Sequence, residues 1–288
     1  MSAIPRARWL AKKSARGALA LGMAASGALA LRRMLSPAPR VRVLTYHRFG
    51  ELARDPFCIG QREFEAQVRF LAERKRAIGL DDLRAFLAGE RALEPDSALI
   101  TIDDGFASTF ELALPVLRHH GVPAIAFVTP SAIENPDAPA WEAERYMTWA
   151  ELAKLAEGGI ETGAHGFEHL SLGAMSRAAA KDQGVRARAL LEARLGRTVR
   201  AFAYPYGTLR DFNADTRQAL GEAGYEFVFT SQHGAIHEGM DARELPRVKV
   251  ENGDSASLFR RLCDGAMDPW RIVDSGLSGL QRPAAAVR

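Results

Sequence analysis

Seven short β-rich runs recur along the chain, with helical stretches between most of them, and this alternation constrains the fold more than any single residue does. The runs are 41–46, 98–102, 124–128, 159–163, 200–204, 225–230 and 245–250. Phe64, Val68 and Leu71 repeat at helical spacing within 61–77, and further helices are predicted over 80–88, 107–120, 176–195, 212–223 and 255–262. Gly121-Val-Pro123 ends the helix over 107–120 with the usual Gly-then-Pro stop. A Pro-rich loop follows the third run over 129–139. Thr148 with Glu151 three residues on reads as a capping box for one more helix. Strands alternating with helices argue for parallel βαβ units. Seven of them fit a barrel or an open sheet, and both architectures gather reactive groups at the carboxyl ends of the strands.

Charge is distributed unevenly. Residues 1–42 hold nine Lys or Arg and no acid, which leaves 29 bases against 35 acids, a net charge of −6, for the rest. A nucleic-acid domain would carry its basic face on the folded part, so nucleic acid is excluded as a partner. Within the leader, 17–31 is an uncharged run of 15 residues bracketed by basic clusters. A spanning helix needs ~20 apolar residues, whereas a secretory signal needs ~7–15 and a small-residue cleavage site. Ala28-Leu29-Ala30 is a weak site of that kind, and Arg32-Arg33 behind it suits an uncleaved membrane tether. The expected organisation is a signal or membrane-anchor leader over 1–40, a catalytic body over 41–265 and a tail over 266–288. Localisation to the cell envelope, periplasmic or membrane-tethered, follows from that leader. Cys58 and Cys263 fit no metal or redox spacing and read as two buried thiols.

Polar residues converge on the strand ends. Tyr46-His47 closes the first run, Asp103-Asp104-Gly105 the second, His165 with His169 the fourth, and Pro205-Tyr206-Gly207 the fifth. Adjacent carboxylates repel unless a cation separates their roles. One carboxylate with two imidazoles makes a three-ligand set that leaves a coordination position open, the catalytic type of zinc site. The other carboxylate is then free to act as a base. His233 and His237 share the same spacing without a partner acid pair and read as solvated loop. His119 and His120 read as favourable cations at a helix C-terminus.

Thr101-Ile-Asp-Asp-Gly105, His165-Gly-Phe-Glu-His169 and Phe202-Ala-Tyr-Pro-Tyr-Gly207 resemble, in order and spacing, the first three motifs of the polysaccharide deacetylases (the NodB-homology family). The resemblance covers roughly 41–250. It implies an α/β fold, a distorted (β/α)7-type barrel in a single domain, and metal-dependent hydrolysis of N-acetyl groups on amino sugars. By matching position, Asp103 would be the general base. Asp104, His165 and His169 would hold a divalent metal, Zn²⁺ first, with Co²⁺, Ni²⁺ or Fe²⁺ also suited. Tyr206 would supply a backbone N–H to the oxyanion. Many members carry Arg at the start of the third motif, where this chain has Ala203, with Arg200 as a nearby substitute. The late Leu-x-His motif finds no His in Leu245-Pro-Arg-Val-Lys249. Val43-Leu-Thr-Tyr-His47 and Tyr146-Met-Thr-Trp149 are similar to the poly-N-acetylglucosamine deacetylase branch, which gives the acid role to His47. The implied partner is an N-acetylated polysaccharide. Two other readings keep part of this pattern: hydrolysis of a non-sugar amide on the same fold, and a catalytically dead glycan-binding module.

Overall fold

The computed structural model describes residues 6–35, 38–135 and 144–272. The end of the Pro-rich loop, the first five leader residues and positions 273–288 of the tail lie outside them. Seven parallel strands build the sheet: β1 (Val41–Tyr46), β2 (Ser97–Ile102), β3 (Ala124–Val128), β4 (Glu161–Ala164), β5 (Ala201–Ala203), β6 (Phe227–Phe229) and β7 (Val248–Lys249). Their spatial order is β6-β5-β4-β3-β2-β1-β7. Leu245 bridges Phe229 of β6, and three residues later Val248 pairs with Leu44 of β1. One short segment thus joins both edges of the sheet, which curls into a (β/α)7-type barrel. All seven runs predicted from the alternation form strands, most trimmed by one to three residues at their ends.

Alternation along each strand sorts the core into two shells, because successive side chains point to opposite faces. Val41, Val43, Leu99, Ile125, Phe127, Ala201, Phe227 and Phe229 fill the inside. Leu44, Tyr46, Ile100, Ile102, Ala126, Phe202 and Val228 face outward beneath the helices. Those helices are α3 (Gln61–Glu73), α4 (Leu80–Leu87), α5 (Leu114–His120), α6 (Pro130–Glu134), α7 (Trp149–Glu157), α8 (Arg177–Leu195), α9 (Ala214–Glu222) and α10 (Ala256–Cys263). The Thr148–Glu151 capping box is present, with the Glu151 N–H donating to Thr148 Oγ1 at 3.2 Å. The helix predicted over 107–120 opens with a π-helical turn over Thr109–Ala113 before it tightens into α5. α6 lies where a loop was expected, because Pro130 at its first position has a φ already suited to a helix. A parallel pair of two-residue strands, Arg48–Phe49 and Cys58–Ile59, also has no counterpart in the sequence reading. Cys58 and Cys263 are separate buried thiols.

The leader is more ordered than a tail. α1 (Arg6–Ala25) and α2 (Ala28–Leu35) break at Ser26-Gly27, where Gly27 takes a φ of +74°. α1 docks on the barrel beside α10. Arg16 is buried there, donating to Asp254 at 2.7 Å and Glu251 at 3.3 Å, while Lys13 reaches Asp254 at 2.8 Å. Ala20 is fully buried one turn on. Packing also continues past 265: Ala266 and Met267 are fully buried, and Asp268 pairs with the buried Arg42.

Burial alone would push the Glu251 carboxyl up, but Arg16, Lys12 and Lys13 outweigh it and hold it at about 2. A carboxyl held low stabilises the fold above its unfolded pKa, and that contribution is lost as pH falls toward the folded value. Arg16→Met is therefore expected to cost about 3 kcal/mol of unfolding free energy at neutral pH, as breaking a buried pair does. Denaturant titrations should show the difference from the parent shrinking as pH falls from about 4.3 toward 2. Equal stability at neutral pH would show that the leader helix is not held by these charges.

Candidate active site

Strand register assembles the site. Tyr46 lies opposite Ile102, so the next residues, His47 and Asp103, leave their strands at the same level. The Asp103 N–H donates to the Tyr46 carbonyl at 2.9 Å and extends that ladder by one bond. Val128 pairs with Ala164, and Ala164 with Phe202, which brings His165 up beside Ala203. The His165 N–H donates to Val128 O at 2.8 Å, and its Nδ1 lies 2.8 Å from Ala203 O. Nδ1 must carry the proton to bond a carbonyl, so in the neutral ring Nε2 is the nitrogen left with a lone pair. Gly163 makes the approach possible: a Cβ there would sit 2.4 Å from the Phe127 ring.

Asp104 Oδ1 lies 3.5 Å from His165 Nε2 and 3.4 Å from His169 Nε2. These three residues each offer a ligand atom within 4.8 Å of the others, and they form the one such cluster among the described residues. The donor set fits a divalent cation: one hard carboxylate, two imidazoles, and on His165 the bond from Nδ1 to the Ala203 carbonyl that orients a ligating ring. Burial would raise the Asp104 carboxyl, but its contacts with His165 and His169 outweigh burial and hold it well below the ordinary range. Burial works against a charged His165, yet Asp103 and Asp104 still raise its pKa. The pocket therefore favours positive charge before any ion is considered.

Asp103 has a different partner. Arg247 grips it with two bonds, Nη1 to Oδ1 at 2.7 Å and Nη2 to Oδ2 at 2.8 Å, and both residues are buried. Nη1 also reaches Thr101 Oγ1 at 3.3 Å, and Nε donates to the Thr230 carbonyl at 2.8 Å. Burial pushes Asp103 up, and Arg247 more than reverses it, so the carboxylate stays ionised. Arg247 thus supplies the cationic partner of Asp103 that Ala203 cannot. Arg200 does not, because it lies at the opposite end of the barrel on Asp81 and Glu161. Arg247 lies within Leu245-Pro-Arg-Val-Lys249, where a late His was expected, and it immediately precedes the last strand, so the strand-end rule does not mark it.

His47 is half-buried against Phe57, ring centroids 4.7 Å apart, and burial lowers its pKa in spite of Asp104 and Asp103 nearby. The Tyr206 ring lies 4.8 Å from that of His169. Asp104, His169 and Tyr206 all adopt left-handed backbone, with φ of +75°, +53° and +62°. Tyr146 stacks on Phe106 behind Asp104, and burial pushes its hydroxyl up to about 12. All six residues singled out from the sequence, His47, Asp103, Asp104, His165, His169 and Tyr206, thus lie at one rim. Of the decoys, His119 and His120 end α5 as expected. His233 is buried rather than solvated, and burial lowers its pKa to about 3.

Residues 90–228 match the family model of the polysaccharide deacetylases. The chain therefore carries a polysaccharide deacetylase domain. Bacillus subtilis (strain 168) YxkH is 24% identical over 223 residues, covering 76% of this chain and 75% of YxkH. The poly-beta-1,6-N-acetyl-D-glucosamine N-deacetylase of Staphylococcus epidermidis is 24% identical over 215 residues, 71% of this chain and 72% of that protein. Among solved structures, IcaB from Ammonifex degensii superposes with a TM-score of 0.68 at 26% identity, over 79% of this chain and 97% of that one. The deacetylase domain of BpsB from Bordetella bronchiseptica shares the fold, with a TM-score of 0.60 at 24% identity over 74% and 96% of the two chains. This polysaccharide deacetylase is accordingly a hydrolase with a candidate Asp-His-His metal site.

The two carboxylates can be separated experimentally. Asp104→Asn is expected to lose most divalent-metal affinity, because an amide oxygen is a poorer ligand than a carboxylate. Asp103→Asn should keep the metal, its partner being Arg247. Titration of the metal-stripped proteins with Zn²⁺ by calorimetry reads the difference, and equal losses would reverse the assignment.

Proposed function

We propose that this deacetylase removes acetyl groups from amino-sugar residues of an envelope or exported polysaccharide, using a divalent metal held by Asp104, His165 and His169. The observation that carries the reading is the division of the paired acids: Asp104 faces both imidazoles while Asp103 is claimed by Arg247. A divalent ion in that set supplies Lewis acidity, polarising the acetamide carbonyl and acidifying water. Zn²⁺ suits the donors best, and Co²⁺, Ni²⁺ or Fe²⁺ suit them next.

The remaining steps belong to the chain. Each carboxylate oxygen has two lone pairs, so Asp103 bonds Arg247 and still accepts the proton of the attacking water. The Tyr206 backbone N–H, turned by its left-handed φ at the strand end, donates to the oxyanion as the tetrahedral centre forms. His47, at the level of Asp103, gives its proton to the departing amine. Water adds to the carbonyl carbon, the C–N bond breaks, and acetate and a free amino sugar result. The intact set of base, ligands and acid favours this over a dead glycan-binding module. The similarity to poly-beta-1,6-N-acetyl-D-glucosamine N-deacetylases, with the basic leader, supports an N-acetylglucosamine polymer at the envelope over a small cytosolic amide.

Acetate release from N-acetylglucosamine oligomers tests the function. Exhaustive chelation in metal-free buffer should abolish it and Zn²⁺ or Co²⁺ should restore it, while the fold persists by circular dichroism. Release that survives chelation overturns the reading. General acid catalysis contributes about 10²–10⁴-fold, so His47→Ala should lower kcat by about that factor with metal content unchanged. The alkaline limb of the pH–rate profile should vanish with it, since that limb reports loss of the proton His47 donates. A variant keeping most of the rate and the same limb makes His47 structural.

A further inference from the structure

Beyond the active site, exposed apolar surface concentrates on the leader. Leu10, Leu21, Leu31, Met34 and Leu35 are 53–79% exposed, and they are five of the nine large apolar side chains that the described residues leave exposed. Leu10 and Leu21 are eleven residues apart, close to three helical turns, so they share one line along α1. Ser14, Gly17 and Ala18 lie near that line and add no charge. The docked face is a different one, carrying Arg16 and Ala20. Arg6 and Arg8 are exposed at the start of α1, and Lys12 is partly so, with no acid anywhere in 1–42. No helix among the described residues is long and apolar enough to cross a membrane.

We infer that α1 and α2 form an interfacial element that lies in the plane of a bilayer leaflet containing anionic phospholipid and holds the barrel to it without spanning. The inference rests on the envelope reading above and specifies how the chain is held there. An in-plane helix needs an apolar face that enters the acyl boundary and bases that meet the headgroups. The leader supplies both, and charge selects the occupant: the exposed Arg6 and Arg8, with no acid anywhere in 1–42, suit phosphate headgroups, at roughly fivefold in partitioning per Lys or Arg near the surface. Arg16, Lys13 and Lys12 serve the barrel side instead, where their ion pairs with Glu251 and Asp254 couple the helix to the fold. The membrane-facing element is thus continuous with the fold.

The test uses the full chain and vesicles of phosphatidylcholine with or without phosphatidylglycerol. Flotation should show binding to the mixed vesicles, at least about tenfold weaker on phosphatidylcholine alone and weakened by salt. The triple variant Leu10→Glu, Leu21→Glu, Met34→Glu should lose binding by at least about tenfold. Its thermal midpoint and its acetate release from soluble oligomers should match the parent, since those side chains face solvent. Equal binding to both vesicles, or by the triple variant, overturns the inference, as does no binding at all. Protein from the producing cells adds two decisive readouts. Release from membranes by alkaline carbonate and an intact mass that retains 6–35 support in-plane attachment. Retention after carbonate, or loss of the leader by cleavage, contradicts it. Activity on soluble oligomers stands or falls separately, so failure here is distinguishable from failure of the deacetylase reading.

Discussion

The buried pair between Arg247 and Asp103 is the contact on which the site depends. Two oppositely charged groups are taken out of water together, and Thr101 and Thr230 accept two further N–H bonds of the guanidinium inside the barrel. Such pairs seldom add stability relative to an apolar replacement, yet removing one partner costs about 3–5 kcal/mol because a charge is left buried alone. The bidentate fork also fixes the plane of the carboxylate, which a single bond would not. Arg247 stands in the segment that bridges β6 to β1, so the same few residues close the barrel and orient Asp103, the proposed base. Barrel closure and base geometry are therefore one constraint.

Strain collects around that constraint. Asp104, His169 and Tyr206 each hold a left-handed backbone without being glycine, at about 1–3 kcal/mol apiece. Such conformations persist only when neighbours over-determine them. Here the strands below are short and parallel, and every residue of β1, β2 and β3 is buried. The result is that two of the proposed metal ligands and the proposed oxyanion donor are aimed by backbone turns at strand ends, while the proposed base is aimed by a side-chain pair from across the barrel.

Much of this was legible in the sequence, for reasons particular to each part. The β-rich runs and helical spacings located all seven strands and most helices, most plainly at β2 and β3, which are buried along their whole length and so read as near-continuous apolar runs. The strand-end rule then placed His47, Asp103, Asp104, His165, His169 and Tyr206 on one rim. Arg247 was not legible as a partner of Asp103, because the pair spans 144 residues and exists only once the barrel closes. Arg200, nearer in sequence to the third motif, lies at the wrong end of its strand. His233 was misread because its burial comes from packing around the closing segment rather than from any local pattern. The leader helix gave its charge and apolar run to inspection, but its docking on Glu251 and Asp254 joins residues more than 230 positions apart.

The central claim is that Arg247 positions Asp103 for proton transfer, and the pH–rate profile of Arg247 variants tests it most directly. With Arg247→Gln, Asp103 loses the cation that lowers its pKa, so the acid limb of acetate release should move to higher pH. The plateau should fall by at least about tenfold, with Zn²⁺ content unchanged because no ligand is touched. Arg247→Lys, which keeps the charge but not the fork, should leave the limb near its original position while the plateau still falls. An unshifted acid limb and an undiminished plateau in Arg247→Gln, with zinc bound, would contradict the account.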